Sequence, residues 1–441
     1  MDSHAAPTPT ARRSAGRPAR VTWPELRRAL GPGLIWAGAA IGVSHLVQST
    51  RAGAEAGYGL VGVVVAALIL KYPFFEYGPR YAGATGESLV DGYRRIGTWA
   101  VWLYLLLTLA TAFIVDAAIV LFTGFLLLSV LGIQAPPAVA GGFVYLLCGL
   151  LLWVGRYRLL DRTMKVILVA LAVSTLVAAA VALPRADFGT AALVPRIGPG
   201  GAAGFAFVLA LAGWMPSAID VSVWSSLWTL AKDASDRART SVAAARADFL
   251  VGYVGTAVLA FCFLTLGAAV MHGSGREFSS SGFGFSLQLV DLYGRTLGAW
   301  SRPFILAAVL TTMLSTSLAV VDGFPRAIAR SAEVLLRERV PDVEAGGGGR
   351  IYWAAMAAIG ALVVAVLSAL AGSLTGMVDF ATIVSFLTAP LLGYLNLRAV
   401  TSPDFPAEHR PRRGMLVLSW VGLAVLGGFG AVYLGWLVAG S

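Results

Sequence analysis

Gly31-Pro-Gly-Leu-Ile-Trp-Ala-Gly-Ala-Ala-Ile-Gly-Val-Ser-His45 opens the first long apolar segment of this chain. Halfway along, Gly42-Val-Ser-His45 interrupts the apolar run. A helix that loses its regular pattern inside a membrane must satisfy its freed backbone groups in protein or in a water-lined cavity. Broken spans of this kind are typical of the binding sites of secondary transporters. The stretch therefore indicates a membrane transporter.

The composition places nearly the whole chain in a membrane. Of its 441 residues, 58% are hydrophobic and only 13% are charged, whereas soluble domains carry about 25% charged residues. Helical spans need roughly 20 apolar residues to cross a hydrocarbon core about 30 Å thick. The sequence predicts an all-α polytopic membrane protein whose eleven spans cover residues 32–57, 58–78, 98–128, 137–154, 163–183, 202–230, 249–271, 299–321, 351–372, 376–397 and 414–438.

The basic residues predict the orientation of the chain. They concentrate in the N-terminal segment and in every second connection, and the other connections contain only Arg185, Arg196, Arg276, Arg295 and Arg302. Cytoplasmic loops carry an excess of Lys and Arg. We therefore expect a multi-pass protein of the bacterial inner membrane with a cytoplasmic N-terminus. The net charge of +10 then reflects topology, and no nucleic-acid partner is expected.

A second broken span suggests an internal repeat. Gly198-Pro-Gly200 precedes the sixth apolar segment, which is interrupted at Trp214-Met-Pro-Ser217. Proline removes a backbone donor and clashes with the preceding turn, so Pro216 kinks or unwinds a helix. Two broken helices in corresponding places fit an inverted repeat. The predicted organisation is a disordered basic tail with an interfacial segment at residues 1–30, two five-helix repeats at 31–183 and 198–397, and an eleventh span at 414–438.

Few side chains within the spans could carry chemistry. His45 lies at the first break, where it could be a hydrogen-bonded core residue, accept a proton, bind a metal or donate to an anion. Asp116 in span three and Asp220 in span six are acids at membrane depth, and such residues tend to mark ion or proton paths. Arg51 either pairs with Glu55 one turn away or attracts anions to a vestibule.

The inventory argues against an enzyme. The His-Glu-x-x-His helix of a metalloprotease is absent, and Ser44 lies next to His45 in sequence, which does not give a hydrolase its serine–histidine geometry. The two cysteines, Cys148 and Cys262, lie inside apolar runs and offer no disulfide framework. We expect no cofactor.

Several motifs resemble the Nramp family of proton-coupled divalent metal transporters. They are Gly31-Pro-Gly33, Ala52-Gly-Ala54 with Gly57-Tyr58, Thr85-Gly-Glu-Ser-Leu89, and Ala212-Gly-Trp-Met-Pro-Ser217. The resemblance implies the LeuT-type fold, an inverted repeat of five plus five helices followed here by one extra helix. It also implies alternating access, with the substrate between the breaks of spans one and six.

The resemblance maps the family's metal site onto altered residues. The family has Asp-Pro-Gly-Asn in span one, where this chain has Gly42-Val-Ser-His45. The Met-Pro-His of span six becomes Met215-Pro-Ser217, and Asp116 matches a proton-path acid whose acidic companion is Ile119 here. The predicted substrate-binding residues are Ala39, Gly42, Ser44, His45, Ala212, Met215 and Ser217, with His45 and Met215 as metal ligands and Asp116 and Asp220 on the coupling path.

These departures leave the substrate open. The resemblance implies a divalent metal cation, but a hard dication prefers anionic oxygen ligands, and the family's aspartate position is Gly42. A small anion such as bicarbonate or a small carboxylate is the alternative, as is an amino acid, because hydroxyl groups and half-helix ends suit them. The coupling ion is expected to be a proton or sodium.

Overall fold

A computed structural model describes residues 21–194, 204–274, 302–336, 349–370 and 374–440, with a few single positions between 288 and 300. The basic tail at 1–20 and Gly198-Pro-Gly200, both used in the predictions above, lie outside the described residues. Within the described ranges the chain is helical and contains no strand. The predicted all-α membrane fold is confirmed.

Fourteen α-helices follow one another along the described residues. They are α1 Trp23–Ala29, α2 Pro32–Ile41, α3 Thr50–Ala56, α4 Val61–Thr85, α5 Leu89–Ile96, α6 Thr98–Leu131, α7 Pro137–Ala182, α8 Phe205–Trp214, α9 Val221–Asp236, α10 Val242–Val270, α11 Arg302–Leu336, α12 Arg350–Leu370, α13 Leu374–Thr401 and α14 Arg413–Gly440. A π-helical turn, Ser44–Ser49, separates α2 from α3.

Eight segments of the described residues are long and apolar enough to cross a membrane. They are Val61–Thr85, Thr98–Leu131, Pro137–Gly155, Arg158–Arg185, Val242–Val270, Arg350–Ala369, Gly376–Thr401 and Arg413–Val438. The remaining predicted spans correspond to the broken pairs α2–α3 and α8–α9 and to the first part of α11. Glycines with φ of 73° and 67° end α4 and α6, at Gly86 and Gly132, where a left-handed residue needs no Cβ.

One predicted connection is helical in the structure. The sequence predicts an inner loop between spans four and five, around Arg156, but α7 runs without interruption from Pro137 to Ala182. Arginine and leucine are good helix formers, and no proline interrupts this stretch. The two apolar segments of α7 still match the predicted spans four and five.

Span one packs along α10 at very short range. A Cβ on Gly33 would lie 2.8 Å from the backbone nitrogen of Phe249, and a Cβ on Gly53 would lie 2.7 Å from that of Ala268. Helices in membranes approach this closely only where residues are small. The carboxylate of Asp248 fixes the start of the contact, because it accepts hydrogen bonds from Gly31 N at 3.0 Å and Gly33 N at 2.6 Å.

A buried amide ties four helices together. Asn396 of α13 donates to the carbonyl of Phe74 in α4 at 2.9 Å and to the hydroxyl of Ser222 in α9 at 2.7 Å. Its own carbonyl accepts the hydroxyl of Tyr93 in α5. Buried polar groups in a membrane must be satisfied internally, so this network fixes α9 against α4 and α13.

Replacing Asp248 by alanine is expected to destabilise the protein by about 1–3 kcal/mol, because two backbone donors at the start of α2 lose a charged acceptor. Thermal unfolding of the purified protein in detergent measures the loss. Asp236→Ala is the control, since Asp236 is 39% exposed and pairs with Lys232 one turn away on the same helix. Equal melting temperatures for the two variants would contradict the role given to Asp248.

Candidate functional site

The break in span six is a true interruption of the helix. α8 ends at Trp214 and α9 begins at Val221. Met215 is extended, with φ −88° and ψ 119°, as expected for the residue before a proline. Pro216 itself supplies no backbone donor. The break therefore presents the carboxyl end of α8 and the amino end of α9 to the interior of the protein.

A lysine from span two binds the carboxyl end of α8. Lys71 lies in the middle of α4 and is completely buried. Its ammonium group donates to the carbonyls of Ala212 at 3.1 Å, Gly213 at 2.8 Å and Ser217 at 2.7 Å. The last carbonyls of a helix have no partner within it, and they form the negative end of its dipole. Lys71 supplies both the missing donors and the opposite charge.

An aspartate occupies the other end of the break. Asp220 caps α9, and its carboxylate accepts the backbone N–H of Val221 at 3.0 Å. The amino end of a helix is the positive end of its dipole and favours a carboxylate. Each end of the break in span six is thus bound by a side chain whose charge is opposite to that of the helix end. Lys71 of α4 binds the carboxyl end of α8, and Asp220 caps the amino end of α9.

The break in span one is milder than the sequence predicts. α2 ends at Ile41, and the chain continues through the π-helical turn that starts at Ser44. Single π-helical turns frequently mark functional sites. The Ser44 hydroxyl contacts the carbonyl of Ala40 and, at 3.3 Å, that of Pro216. The two breaks therefore face each other across this serine.

His45 is turned away from the break in span six. Its side chain is completely buried, and Nε2 lies 3.0 Å from the carbonyl of Thr256 in α10. Nδ1 lies 2.6 Å from the Ser44 hydroxyl and 3.0 Å from the carbonyl of Ala40. Both ring nitrogens have protein partners, so in this conformation the imidazole anchors span one to α10 and leaves no nitrogen for a metal.

Thr316 fills the space beside Gly42. A Cβ on Gly42 would lie 2.7 Å from the Cβ of Thr316 in α11. The threonine is held there by a hydrogen bond from its hydroxyl to the carbonyl of Gly38 at 2.8 Å. A larger side chain at Gly42, including an aspartate, would displace Thr316. The position that carries the metal-binding aspartate in Nramp motifs is therefore closed to one here.

A cavity of about 40 Å³ lies between the breaks. One water needs roughly 10–15 Å³ of such space, so the cavity has room for an ion with a few waters. Its apolar wall includes Val115, Ile119 and Trp224. Apart from the indole N–H groups of Trp214 and Trp224, which are donors and cannot bind a cation, the polar side chains of the wall offer only oxygen as a ligand atom. The oxygens belong to Ser44, Ser217, Asp220, Thr316 and Ser385.

The structure brings together only part of the predicted site. Ala39, Ser44 and Ser217 line the cavity, and Asp220 joins them. The other predicted binding residues, Gly42, His45, Ala212 and Met215, do not line it. The Ala212 carbonyl is bonded to Lys71, and Met215 is completely buried. The described residues contain no group of three or more His, Cys, Asp or Glu side chains able to hold a metal.

Asp116 lies beside the cavity without lining it. Its neighbours Val115 and Ile119 face the cavity, whereas the Asp116 carboxyl group is completely buried and neither oxygen has a hydrogen-bond partner. An unpaired charge in a membrane interior costs several kcal/mol. Among the buried carboxyl groups that the structure describes, Asp116 is the one with no hydrogen-bond partner at either oxygen.

Arg51 joins three spans on the α3 side of the breaks. It bonds to Asp379 of α13 at 2.9 Å and lies 3.6 Å from Glu55. Its guanidinium group also lies 4.6 Å from the centre of the Phe207 ring in α8. Gln48 adds a hydrogen bond to Asp379 at 3.1 Å. The predicted pair with Glu55 exists, and the stronger contact to Asp379 closes spans one, six and ten together.

Sequence reasoning missed three residues of this region. Thr316 and Ser385 lie on spans eight and ten, and nothing near them in the sequence distinguishes them. Lys71 did carry a signal, because it is one of only three lysines in the chain and interrupts an apolar run. An ionisable residue inside a span is a functional candidate by default.

Comparison with known proteins agrees with this architecture. The sequence profile described as Natural resistance-associated macrophage protein-like (Nramp) matches residues 33–435. The uncharacterized protein PM0681 of Pasteurella multocida (strain Pm70) is 35% identical over 424 residues, which are 94% of this chain and 95% of that protein.

Solved structures share the fold at low sequence identity. The manganese transporter of Eremococcus coleocola, in complex with an aromatic bis-isothiourea substituted compound, superposes with a TM-score of 0.68 and 16% identity, covering 95% of this chain and 88% of that one. MhsT in complex with L-phenylalanine gives 0.60 and 13%, covering 95% and 99%. Mhp1, a nucleobase-cation-symport-1 transporter, gives 0.56 and 15%, covering 91% and 90%. By the extent of the profile match, the chain belongs to the Nramp family and is a multi-pass membrane protein of the secondary-transporter class.

Proposed function

We propose that the protein carries a hard divalent metal cation, Mn²⁺ or Mg²⁺, by alternating access, and binds it in the cavity between the two breaks. The observation that supports this most directly is the chemistry of the cavity wall. Its candidate ligand atoms are the Asp220 carboxylate and the hydroxyls of Ser44, Ser217 and Thr316. Hard cations prefer oxygen ligands, whereas thioether and imidazole groups select softer metals.

The size of the cavity fits a partly hydrated ion. Mg²⁺ gives up its waters reluctantly and is commonly held by one or two carboxylates with several waters retained. A volume of about 40 Å³ holds roughly three water-sized particles, which is an ion with about two waters. Asp220 would provide the one direct charge, and the hydroxyls would bind the remaining waters. Met215 and His45, the ligands expected from the motif comparison, take no part in this arrangement.

The positive groups near the cavity, which could attract an anion, already have partners within the protein. All three protons of the Lys71 ammonium are donated to carbonyls, and the amino end of α9 is capped by Asp220. An anion in the cavity would face the Asp220 carboxylate. The charge distribution therefore favours a cation over bicarbonate or a small carboxylate, and the limited volume disfavours an amino acid with a large side chain.

Arg51 and Asp379 are proposed to close the outer side of the site. With the N-terminus in the cytoplasm of a bacterial inner-membrane protein, α3 forms the outer half of span one, and the Arg51–Asp379 bond crosses from it to span ten. Breaking this bond would separate spans one and ten above the cavity, and two inverted five-helix repeats at 31–183 and 198–397 would supply the rocking motion.

Asp116 is proposed to carry the coupling proton. In this conformation its two oxygens lack any partner, which suits a neutral carboxyl group in a membrane interior. When the spans rearrange around the cavity, this side chain would gain access to water and release its proton. Proton coupling then needs no histidine at position 217.

Ion uptake into proteoliposomes tests the substrate. We expect saturable uptake of Mn²⁺ or Mg²⁺, and Asp220→Asn should reduce it at least about tenfold, the equivalent of roughly 1.4 kcal/mol of binding. Met215→Ala is the matched control within the same break and should retain transport, because its thioether does not line the cavity. Radiolabelled bicarbonate is measured in parallel. Saturable bicarbonate uptake without metal flux would overturn the proposal.

The pH dependence of uptake tests Asp116. Asp116→Asn keeps the shape of the side chain but cannot release a proton, so downhill Mn²⁺ uptake should persist while its stimulation by an inward proton gradient disappears. The measurement compares uptake with and without the gradient in wild-type and variant proteoliposomes. Unchanged stimulation in the variant would exclude Asp116 as the coupling group.

A further inference from the structure

We propose that the break in span six contains a binding site for a monovalent cation that the wild-type protein fills with its own Lys71 ammonium group. The site is the cage formed by the carbonyls of Ala212, Gly213 and Ser217. Lys71 acts there as a positioning residue that holds the two halves of span six together. The transported ion binds elsewhere, in the neighbouring cavity.

The cage is built from both sides of the break. Ala212 and Gly213 belong to the last turn of α8, and Ser217 lies beyond Pro216, on the side of α9. The three carbonyl oxygens lie 2.7 to 3.1 Å from the Lys71 nitrogen. One cation therefore crosslinks two chain segments that share no continuous helix.

The carbonyl dipoles favour a cation at this position. Three carbonyl dipoles converge on one point, and the carboxyl end of α8 adds the negative end of its dipole. Without a cation, these carbonyls would be buried without a donor, which destabilises the folded protein. Unwound carbonyls of broken spans elsewhere bind dissociable cations. Here the cation is covalently attached to α4.

The rest of the lysine environment agrees with a permanent occupant. The side chain of Lys71 is completely buried, so its ammonium does not exchange with water in this conformation. Its nitrogen also lies 5.8 Å from the centre of the Phe75 ring, at the outer limit of a cation–π contact. The wild-type protein therefore needs no free monovalent cation to hold this break closed.

Chemical rescue of a truncated side chain tests the inference. Lys71→Ala deletes three methylene groups and the ammonium, which together correspond to n-propylammonium. Purified Lys71→Ala protein is melted in increasing n-propylammonium chloride or NaCl, against equal concentrations of choline chloride, whose cation is too bulky for the cage. We expect a saturable rise in melting temperature, of at least about 2 °C, with the amine or with Na⁺.

Two variants serve as controls. Lys71→Met fills the space of the lysine side chain with an unbranched apolar chain and should show no specific response to the amine. Lys165→Ala removes the ammonium from a pair with Asp161 on α7 and should behave like the wild type. A response of Lys71→Ala no larger than that of Lys165→Ala to both cations would overturn the inference.

If Lys71→Ala does not fold in choline chloride, the yield of purified protein with each cation tests the inference instead. Recovery of monodisperse protein only when n-propylammonium or Na⁺ is present throughout supports the cage, and failure with every cation contradicts it. Because melting and yield are measured on purified protein, either result stands whatever ion the protein transports. A failed metal-uptake experiment would therefore leave this inference intact.

Discussion

The structure depends on how one broken helix is neutralised inside a membrane. A helix that stops at mid-membrane leaves carbonyls at one end and amides at the other, and neither can turn to water there. In this protein Lys71 binds the carbonyls at the end of α8, and Asp220 caps the start of α9. The break is compensated by the protein's own charges, so it persists without any bound ion.

This compensation is why we propose the neighbouring cavity, and not the break itself, as the substrate site. The carbonyl of Ala212, expected to bind a metal from the Nramp motifs, is committed to Lys71. Gly42 matches the aspartate of the Nramp motif, and Thr316 fills the space that a side chain there would occupy. What remains is the adjoining cavity, where serine and threonine hydroxyls accompany Asp220. Span one is anchored to α10 through Asp248 and His45.

The sequence predicted the fold better than the site. Apolar spacing and Pro216 are local properties, so they revealed the spans and the second break, whereas the helical continuity of α7 through Arg156 was missed because charged residues suggested a loop. Which residues line the cavity depends on the directions of side chains from helices that are far apart in the sequence. His45 was assigned to the site by its position at the break, but its ring points towards α10, and Thr316 had no local signal at all.

The most direct test of this account locates the bound ion. Crystals grown with Mn²⁺ and measured at the manganese absorption edge would show its position as an anomalous difference peak. We expect a single peak in the cavity lined by Ser44, Ser217 and Asp220, with the Lys71 nitrogen still bonded to its three carbonyls. A peak at the Ala212 carbonyl and the Met215 sulfur, with Lys71 displaced, would contradict it.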